Sequence, residues 1–254
     1  MEVLENIELK PYTSFFIGGP AERLLFAQSD EEIIAGLELA EQNSWPVTIL
    51  GGGSNMVVND QGVSGLVIRI ETIGLDIVKE NNDYVILNIA SGEVWDDVVR
   101  FTVEQNWWGI ENLSHIPGFS GALVVQNVGA YGQEAAQVVE KVKCFDRQTH
   151  QILELDNSDC EFGYRRSIFN SSAKDRYVIL QTQIKLSKNP QPNLDYKDLA
   201  IKFLNQETNN VSIEKIRNAI IEIRNNKFPF PDQPSSGNAG SFFRGPILSE
   251  GSVR

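Results

Sequence analysis

The chain has 254 residues, with 22 Lys and Arg against 34 Asp and Glu, so its formal net charge is −12. Hydrophobic residues make up 41% and charged residues 22%, a balance that excludes a disordered chain. There is no cluster of Lys or Arg, and an acidic chain without one repels a phosphate backbone. Nucleic acid is therefore not an expected partner.

Membrane insertion and thiol or imidazole metal binding are also unexpected. No apolar run approaches the roughly 20 residues of a membrane span, and the acidic N-terminus lacks the apolar core of a signal peptide. Cys144 and Cys160 form no C-x-x-C motif, and His115 and His150 lie far apart. These features predict a cytoplasmic protein without a metal centre of this kind.

The first half of the chain alternates between helical and strand-like patterns. Ser29 is the expected N-cap of the first helix, and the strand-like segment at 46–50 runs directly into three glycines. Helices are predicted at 30–43 and 93–106, and strands at 46–50, 66–70 and 84–89. Such alternation predicts α/β layering with βαβ units.

The second half has fewer regular elements. Residues 142–156 and 177–187 are strand-like, and the two prolines within 188–192 indicate a linker or a domain boundary. A helix is predicted at 212–226 with Ser212 as its N-cap and isoleucines on its inner face. Ser241, Phe242 and Phe243 have the pattern of a strand start.

The first candidate binding segment comprises Gly51, Gly52, Gly53, Ser54 and Asn55, directly after a predicted strand. Three glycines let the backbone approach a ligand and turn its N–H groups outward, which suits a pyrophosphate. The segment matches neither the dinucleotide fingerprint nor the Walker P-loop. A plain tight turn is the alternative.

The second candidate segment spans residues 116–132 and is glycine-punctuated and nearly free of charge. Gln126 and Asn127 offer amides that can read the edge of a planar heterocycle, and small residues allow close approach. The alternative is a loop built around the Pro117-Gly118 turn.

Two further segments carry polar groups suited to chemistry. Arg165 and Arg166 follow Tyr164 and could clamp a carboxylate or phosphate, although a solvated surface pair is the alternative. Ser241 stands between glycine and two phenylalanines, without the G-x-S-x-G context or nearby histidine of a Ser-His-Asp hydrolase. A turn or cap role is the alternative for Ser241.

Together these segments resemble the UDP-N-acetylenolpyruvoylglucosamine reductase family, flavoenzymes of peptidoglycan precursor synthesis. The matching segments are 12–21, 50–55, 109–118, 126–134, 160–169 and 237–246. The resemblance implies an α/β (α+β) fold: an FAD-binding PCMH-type fold of two subdomains, followed by an incomplete α+β substrate-binding domain. The implied divisions are an N-terminal segment 1–14, an FAD-binding domain 15–188 and a partial substrate domain 189–254.

The resemblance also implies roles for individual residues. Catalysis would fall to Arg165 and Ser241, and substrate binding to Tyr164, Tyr196 and Lys227. The implied FAD contacts are Gly51, Gly52, Gly53, Ser54, Asn55, Ile116, Pro117, Gly118, Gly121, Gln126, Asn127, Gly129, Ala130 and Tyr131.

The implied reaction reduces UDP-N-acetylglucosamine enolpyruvate to UDP-N-acetylmuramate. NADPH would supply a hydride through FAD, Arg165 would stabilise the negative charge that develops on the substrate, and Ser241 would donate a proton. The protein is then expected to be a cytoplasmic monomer that serves cell-wall biogenesis and cell division, with no membrane partner.

In that family the chain continues beyond the Ser-Phe-Phe segment and carries a catalytic glutamate there, for which no residue here is a match. The expectation is a C-terminally truncated member in which the apolar face of the helix at 212–226 is poorly covered. Two alternatives stay open. One is a catalytically silent FAD-binding protein, and the other is a flavin oxidase that tethers its flavin through a residue such as His115.

Overall fold

The computed structural model describes residues 1–243 and Gly245. Its strands are β1 (Val3–Glu8), β2 (Pro20–Ala27), β3 (Val47–Leu50), β4 (Val63–Ile70), β5 (Leu75–Glu80), β6 (Tyr84–Ala90), β7 (Gly129–Ala130), β8 (Gln133–Glu134), β9 (Val139–Asp146), β10 (Gln151–Asp156) and β11 (Tyr177–Ser187). Its helices are α1 (Asp30–Gln42), α2 (Trp95–Glu104), α3 (Ser120–Val125), α4 (Lys197–Lys202) and α5 (Ile213–Lys227), with short 3₁₀ turns between elements. No helix within these residues is long and apolar enough to cross a membrane.

The first sheet has the βαβ character that the sequence predicts. Its strand order is β1-β2-β4-β3, with β2 and β3 both parallel to β4 and β1 antiparallel to β2. Helix α1 begins where expected, because the Ser29 hydroxyl accepts a hydrogen bond from the Glu32 N–H at 3.3 Å. Its buried residues Ile33, Leu37 and Ala40 pack on this sheet.

The second sheet departs from the expected βαβ layering. It has the order β10-β9-β11-β6-β5, and every pairing in it is antiparallel. The strand predicted over 142–156 is in fact the hairpin of β9 and β10, because the polar run after Asp146 turns the chain, with His150 at φ +55°. Strands β1, β2 and β5 were not predicted. β1 and β5 are exposed edge strands whose short patterns mix polar and apolar residues, whereas β2 lies inside the first sheet.

An ion pair between buried Asp146 and half-buried Arg176 closes the end of β9. Asp146 is fully buried, and the Arg176 guanidinium donates two hydrogen bonds to its carboxylate, at 3.1 Å (Nε) and 2.6 Å (Nη2). These bonds hold the pKa of Asp146 well below its ordinary value. Since the folded pKa is lower than the unfolded one, the pair stabilises the fold above about pH 4 and loses this contribution as the pH falls further.

Asp146→Asn is therefore expected to lower the free energy of unfolding by about 2 kcal/mol at neutral pH, with the difference shrinking below about pH 4. Urea unfolding of both proteins across this pH range measures it. Glu154→Gln is the matched control, because its partner Lys141 lies 3.2 Å away in an exposed pair. If the difference in free energy of unfolding between the wild type and Asp146→Asn stayed constant from neutral to acidic pH, the stabilising role of the ionised Asp146 carboxylate would be contradicted.

The segment after β11 packs on the rest of the protein. Ile213, Ile216, Ala219 and Ile220 of α5 are buried in one cluster with α2 and the second sheet. The expectation that the inner face of this helix is poorly covered is therefore wrong, because α2, α4 and the 3₁₀ turn Glu111–Leu113 cover it. Periodicity identified the face but could not identify these partners.

The predicted strand at 241–243 is also wrong. The chain there forms a bend, with Phe242 44% and Phe243 87% exposed. Residues 244 and 246–254, including the end of the 237–246 segment, lie outside the described residues. The divisions at 1–14, 15–188 and 189–254 stay a prediction.

Candidate cofactor cleft and active site

A cleft of about 720 Å³ lies between the two sheets. This volume is in the range typical of small-molecule sites. Of the predicted site residues, those that line it are Gly51, Gly52, Gly53, Ser54, Asn55, Ile116, Pro117, Gly118, Gly121, Gln126, Gly129, Ala130, Arg165 and Ser241. Segments widely separated in sequence therefore meet at one place.

The first glycine bend follows β3 at the carboxyl end of the parallel strands, where α/β sheets commonly bind ligands. Gly53 has φ +62°, and a Cβ there would lie 2.1 Å from the Tyr12 carbonyl oxygen, so only glycine fits. The backbone N–H groups of Gly52, Gly53 and Ser54 donate to no acceptor in the described part of the chain. They remain available to an anionic ligand.

The second bend, Ile116 to Gly118, is in direct contact with the first. A Cβ on Gly52 would lie 2.7 Å from the Gly118 Cα, and the Ser54 hydroxyl donates to the Pro117 carbonyl oxygen at 2.9 Å. In this part of the cleft wall the two bends therefore contact each other through backbone atoms. A side chain at the junction would push the two bends apart.

Helix α3 forms a further wall of the cleft and is fastened to the end of β6. The Gly121 N–H donates to the Ser91 carbonyl oxygen at 3.0 Å, and a Cβ on Gly121 would lie 2.6 Å from the Ser91 Cβ. Gln126 follows α3 and lines the cleft, and its side-chain amide bonds to none of the described residues. Gln126 therefore lies at the cleft, and its contact with a cofactor stays a prediction.

Asn127 does not line the cleft. It is buried, its Nδ2 donates to Glu134 Oε2 at 2.9 Å and to the Gly163 carbonyl oxygen at 3.0 Å, and its Oδ1 accepts from the Ala136 N–H at 2.9 Å. Its amide is used to join three loops behind the cleft. We therefore assign it a supporting position rather than the predicted cofactor contact.

Arg165 is fixed against the cleft wall. Its backbone lies in the left-handed region at φ +53°, and its Nη2 donates to the Gly129 carbonyl oxygen at 2.6 Å. The neighbouring Arg166 points away and meets Glu161 in an exposed pair at 3.9 Å. The alternative of a solvated surface arginine thus describes Arg166 and not Arg165.

Ser241 reaches the cleft through backbone contacts of the segment before it. The Ser14 hydroxyl donates to the Asn238 carbonyl oxygen at 2.6 Å, and Asn55 Nδ2 donates to the Ala239 carbonyl oxygen at 2.8 Å. Asn55 Nδ2 also donates to the Ser241 carbonyl oxygen at 3.4 Å, so Asn55 lines the cleft while its amide nitrogen binds this segment at two places. The Ser241 side chain is exposed, and its hydroxyl bonds to none of the described residues.

The remaining predicted residues lie outside the cleft lining. Tyr131 and Tyr196 meet edge to face with ring centroids 5.2 Å apart, and Lys227 Nζ pairs with Asp198 at 2.5 Å, which raises the pKa of Lys227. Burial raises the pKa of Tyr131 against the opposing effect of Arg224 and Lys227 beside it. These three predicted residues form a group at the edge of the cleft.

Tyr164 stands apart from that group. Its side chain is 45% exposed, and its hydroxyl lies 3.4 Å from the place of a Cβ on Gly245. Gly245 thus lies close to the loop that carries Arg165.

Sequence reasoning missed Arg224. It lines the cleft, and its Nε donates to the His115 carbonyl oxygen at 2.7 Å. Burial lowers its pKa. Its place in the last turn of α5, three residues before Lys227, was the available signal.

The charges around the cleft favour an anion. Among the described residues, the charged side chains in its lining are Arg147, Arg165, Arg224 and Asp175. The cleft lining thus carries three positive charges and one negative charge, whereas the whole chain has a net charge of −12. Together with the free N–H groups of the first bend, they fit the pyrophosphate of a dinucleotide.

Residues 21–156 match a protein family described as an FAD binding domain. The structure also resembles UDP-N-acetylenolpyruvylglucosamine reductase from Thermus caldophilus (TM-score 0.66, 23% identity, 94% of this chain and 72% of the other). It further resembles 6-hydroxy-D-nicotine oxidase from Arthrobacter nicotinovorans (TM-score 0.54, 13% identity, 73% of this chain and 42% of the other). At these identities the likeness concerns the fold alone. Fold and cleft thus define an FAD-binding protein of mixed α/β architecture, of the PCMH type.

Sequence relatives define the family more closely. The chain is 37% identical to the UDP-N-acetylenolpyruvoylglucosamine reductases of Streptomyces avermitilis and Flavobacterium johnsoniae, over 98% of its own length and 68% and 72% of theirs. It is 38% identical to that of Neisseria gonorrhoeae over 95% of its length and 69% of the relative's. The chain belongs to the UDP-N-acetylenolpyruvoylglucosamine reductase family of oxidoreductases.

Proposed function

We propose that this protein uses NADPH and FAD to reduce UDP-N-acetylglucosamine enolpyruvate to UDP-N-acetylmuramate in the cytoplasm. The observation that carries the proposal is that two glycine bends, Arg165 and Ser241 line one cleft in a member of this reductase family. The product is a peptidoglycan precursor, so the reaction would serve cell-wall biogenesis and division. We propose a monomer, which binds neither membrane nor nucleic acid.

The cofactor would lie along the cleft with its pyrophosphate at the first glycine bend. The N–H groups of Gly52, Gly53 and Ser54 would bind the phosphate oxygens, and the Gln126 amide would contact a ring edge. When bound, FAD supplies hydride transfer from NADPH to C3 of the enolpyruvyl double bond. The protein's part is to orient the substrate, stabilise its charge and supply a proton.

Arg165 would stabilise the charge that hydride addition creates. When C3 gains a hydride, the electron pair of the double bond moves to C2 and spreads into the carboxylate. A guanidinium held on the cleft wall by Gly129 is preorganised to stabilise that charge, because it needs no reorganisation during the reaction. The carboxylate itself gives the guanidinium a bidentate partner.

Ser241 would supply the proton that completes the reaction. Its hydroxyl makes no bond to the described residues, so it is available to a substrate at the cleft. A serine is a weak acid in water, but a carbanion next to a carboxylate is basic enough to take its proton when both are held in place. The proton forms the new C2–H bond, and the serine oxygen is then reprotonated from solvent.

The group at the edge of the cleft is suited to the nucleotide part of the substrate. Lys227 supplies an ammonium for the diphosphate, and Tyr196, 43% exposed, supplies an aromatic ring. Tyr164 would contact the substrate from the Arg165 side. We propose Tyr164, Tyr196 and Lys227 as the substrate-binding residues.

Arg165→Gln is expected to lower kcat for substrate-dependent NADPH oxidation by about 100-fold to 1000-fold, because it removes the group that stabilises the transition-state charge. FAD content should stay unchanged. The matched control is Arg166→Gln, in the adjacent exposed position, with near wild-type kcat expected. Equal kcat losses in both variants would contradict the role of Arg165.

The proposed function is tested by following NADPH oxidation by the purified protein with and without the enolpyruvyl substrate. The expected result is bound FAD and oxidation that depends on substrate, with UDP-N-acetylmuramate as the product. Bound FAD without substrate-dependent turnover would instead indicate a catalytically silent FAD-binding protein. Covalently attached flavin with alcohol-dependent oxygen consumption would indicate an oxidase.

A further inference from the structure

Asp96, in the first turn of α2, joins two parts of the chain that are distant in sequence. Its carboxylate accepts two hydrogen bonds from the Arg217 guanidinium of α5, at 2.7 Å (Nη1 to Oδ1) and 2.9 Å (Nη2 to Oδ2). The same Oδ1 accepts the backbone N–H of His115. One carboxylate thus holds both α5 and the residue that directly precedes the second glycine bend.

Helix α5 also holds the other side of the His115 peptide. Arg224 Nε donates to the His115 carbonyl oxygen at 2.7 Å, and the His115 ring nitrogen Nε2 lies 2.8 Å from Asn225 Oδ1. His115 is in the left-handed region at φ +59°, a conformation that costs free energy in a residue with a side chain. Asp96 of α2 at its N–H, and Arg224 and Asn225 of α5 at its carbonyl oxygen and ring, stabilise this conformation.

The Asp96–Arg217 ion pair is more deeply buried than the ion pairs on the surface. The Asp96 side chain is 17% exposed and the Arg217 side chain 11%, so both charges are largely removed from water. Loss of either partner would leave the other as an unpaired buried charge. On the same helix, Asp97 pairs with Arg100 at 2.9 Å with 54% and 59% exposure. Such an exposed pair contributes little to stability.

Neither Asp96 nor Arg217 belongs to the cleft lining, so their effect on a ligand must pass through the loop. The loop residues that follow His115 do line the cleft, and Gly118 lies against Gly52 of the first bend. A shift at residue 115 would therefore alter the distance between the two bends. The bends are the surface that FAD contacts in the proposed function.

We propose that Asp96 is a positioning residue that links FAD binding to the docking of α5 on the rest of the protein. Its carboxylate fixes the bend at 116–118 against the bend at 51–54 only while Arg217 is in place. Because binding linkage is reciprocal, FAD must then strengthen the docking of α5 as much as docked α5 strengthens FAD binding. The inference depends on the FAD site of the proposed function.

The first test measures the FAD dissociation constant of the full chain by flavin fluorescence. Asp96→Asn is expected to weaken FAD binding by about 10-fold or more, within the usual range of coupling between two sites. Asp97→Asn is the matched control, with an unchanged dissociation constant expected. Arg217→Lys keeps the positive charge but loses the bidentate hydrogen bond to Asp96, so it should weaken FAD binding as well.

The second test distinguishes positioning from a general loss of stability. Amide hydrogen exchange of residues 213–227 is measured with and without saturating FAD. In the wild type FAD is expected to slow exchange across α5, and in Asp96→Asn this slowing should be lost while exchange in β9 and β11 stays unchanged. If Asp96→Asn does not fold, Arg217→Lys carries the same comparison.

Wild-type FAD affinity in Asp96→Asn would overturn the inference, as would FAD-induced slowing of exchange at α5 equal to that of the wild type. Both results would leave the proposed function intact. A wild-type chain that binds no FAD would instead defeat the proposed function. The two failures are therefore distinguishable.

Discussion

Gly52→Ala is expected to remove most of the FAD binding of this protein. A Cβ at this position would lie 2.7 Å from the Gly118 Cα and 3.3 Å from the Phe119 nitrogen, both backbone atoms that cannot rotate away. The two bends must separate to admit the methyl group. Separation of the bends would move the N–H groups of the first bend away from the phosphate oxygens. Because a hydrogen bond to a charged group contributes about 1.5–3 kcal/mol, loss of one or two of them lowers FAD affinity by about 100-fold.

Titration of each variant with FAD, followed by flavin fluorescence, measures this effect. Gly163→Ala is the control, because the nearest side-chain atom to its Cβ is the Arg166 Cβ at 4.0 Å, an ordinary contact. Near wild-type affinity is expected for that variant. If Gly52→Ala also bound FAD normally, the contact between the two bends would have no part in cofactor binding.

Ser241→Ala is expected to separate the two half-reactions. Reduction of bound FAD by NADPH should proceed at the wild-type rate, because it requires no proton from Ser241. Reduction of the enolpyruvyl substrate should slow by about 100-fold to 10,000-fold, the range typical of a lost general acid.

Stopped-flow absorbance resolves these steps, since NADPH alone reports the first and addition of substrate to the reduced enzyme reports the second. Ser172→Ala, an exposed serine outside the cleft lining, is the control and should leave both rates unchanged. Equal slowing of both half-reactions by Ser241→Ala would contradict the role of proton donor.

The sequence predicts the elements of this fold better than their arrangement. Helices α1 and α5 were found near their bounds because an N-cap serine and a period of 3.6 residues are local signals. The antiparallel order of the second sheet and the hairpin of β9 and β10 depend on which strands meet, which no local period encodes. The covered face of α5 was missed for the same reason.

The candidate site shows a similar division. Glycine bends at 51–53 and 116–118 could be predicted because the conformational freedom of glycine is a property of the residue itself. The direction of a side-chain amide or carboxylate depends on its tertiary partners. Asn127 therefore lies behind the cleft although its neighbour Gln126 lines it, and Asp96 and Arg224 gave no clear signal of their contacts with His115.

The cleft between the two sheets is proposed to bind FAD through the two glycine bends. The most direct test is the amount of FAD that the purified chain holds after saturation and removal of excess, measured by absorbance after acid release. One FAD per chain is expected in the wild type and far less in Gly52→Ala. A folded wild-type chain that holds no FAD under these conditions would contradict the assignment of the cleft as an FAD site.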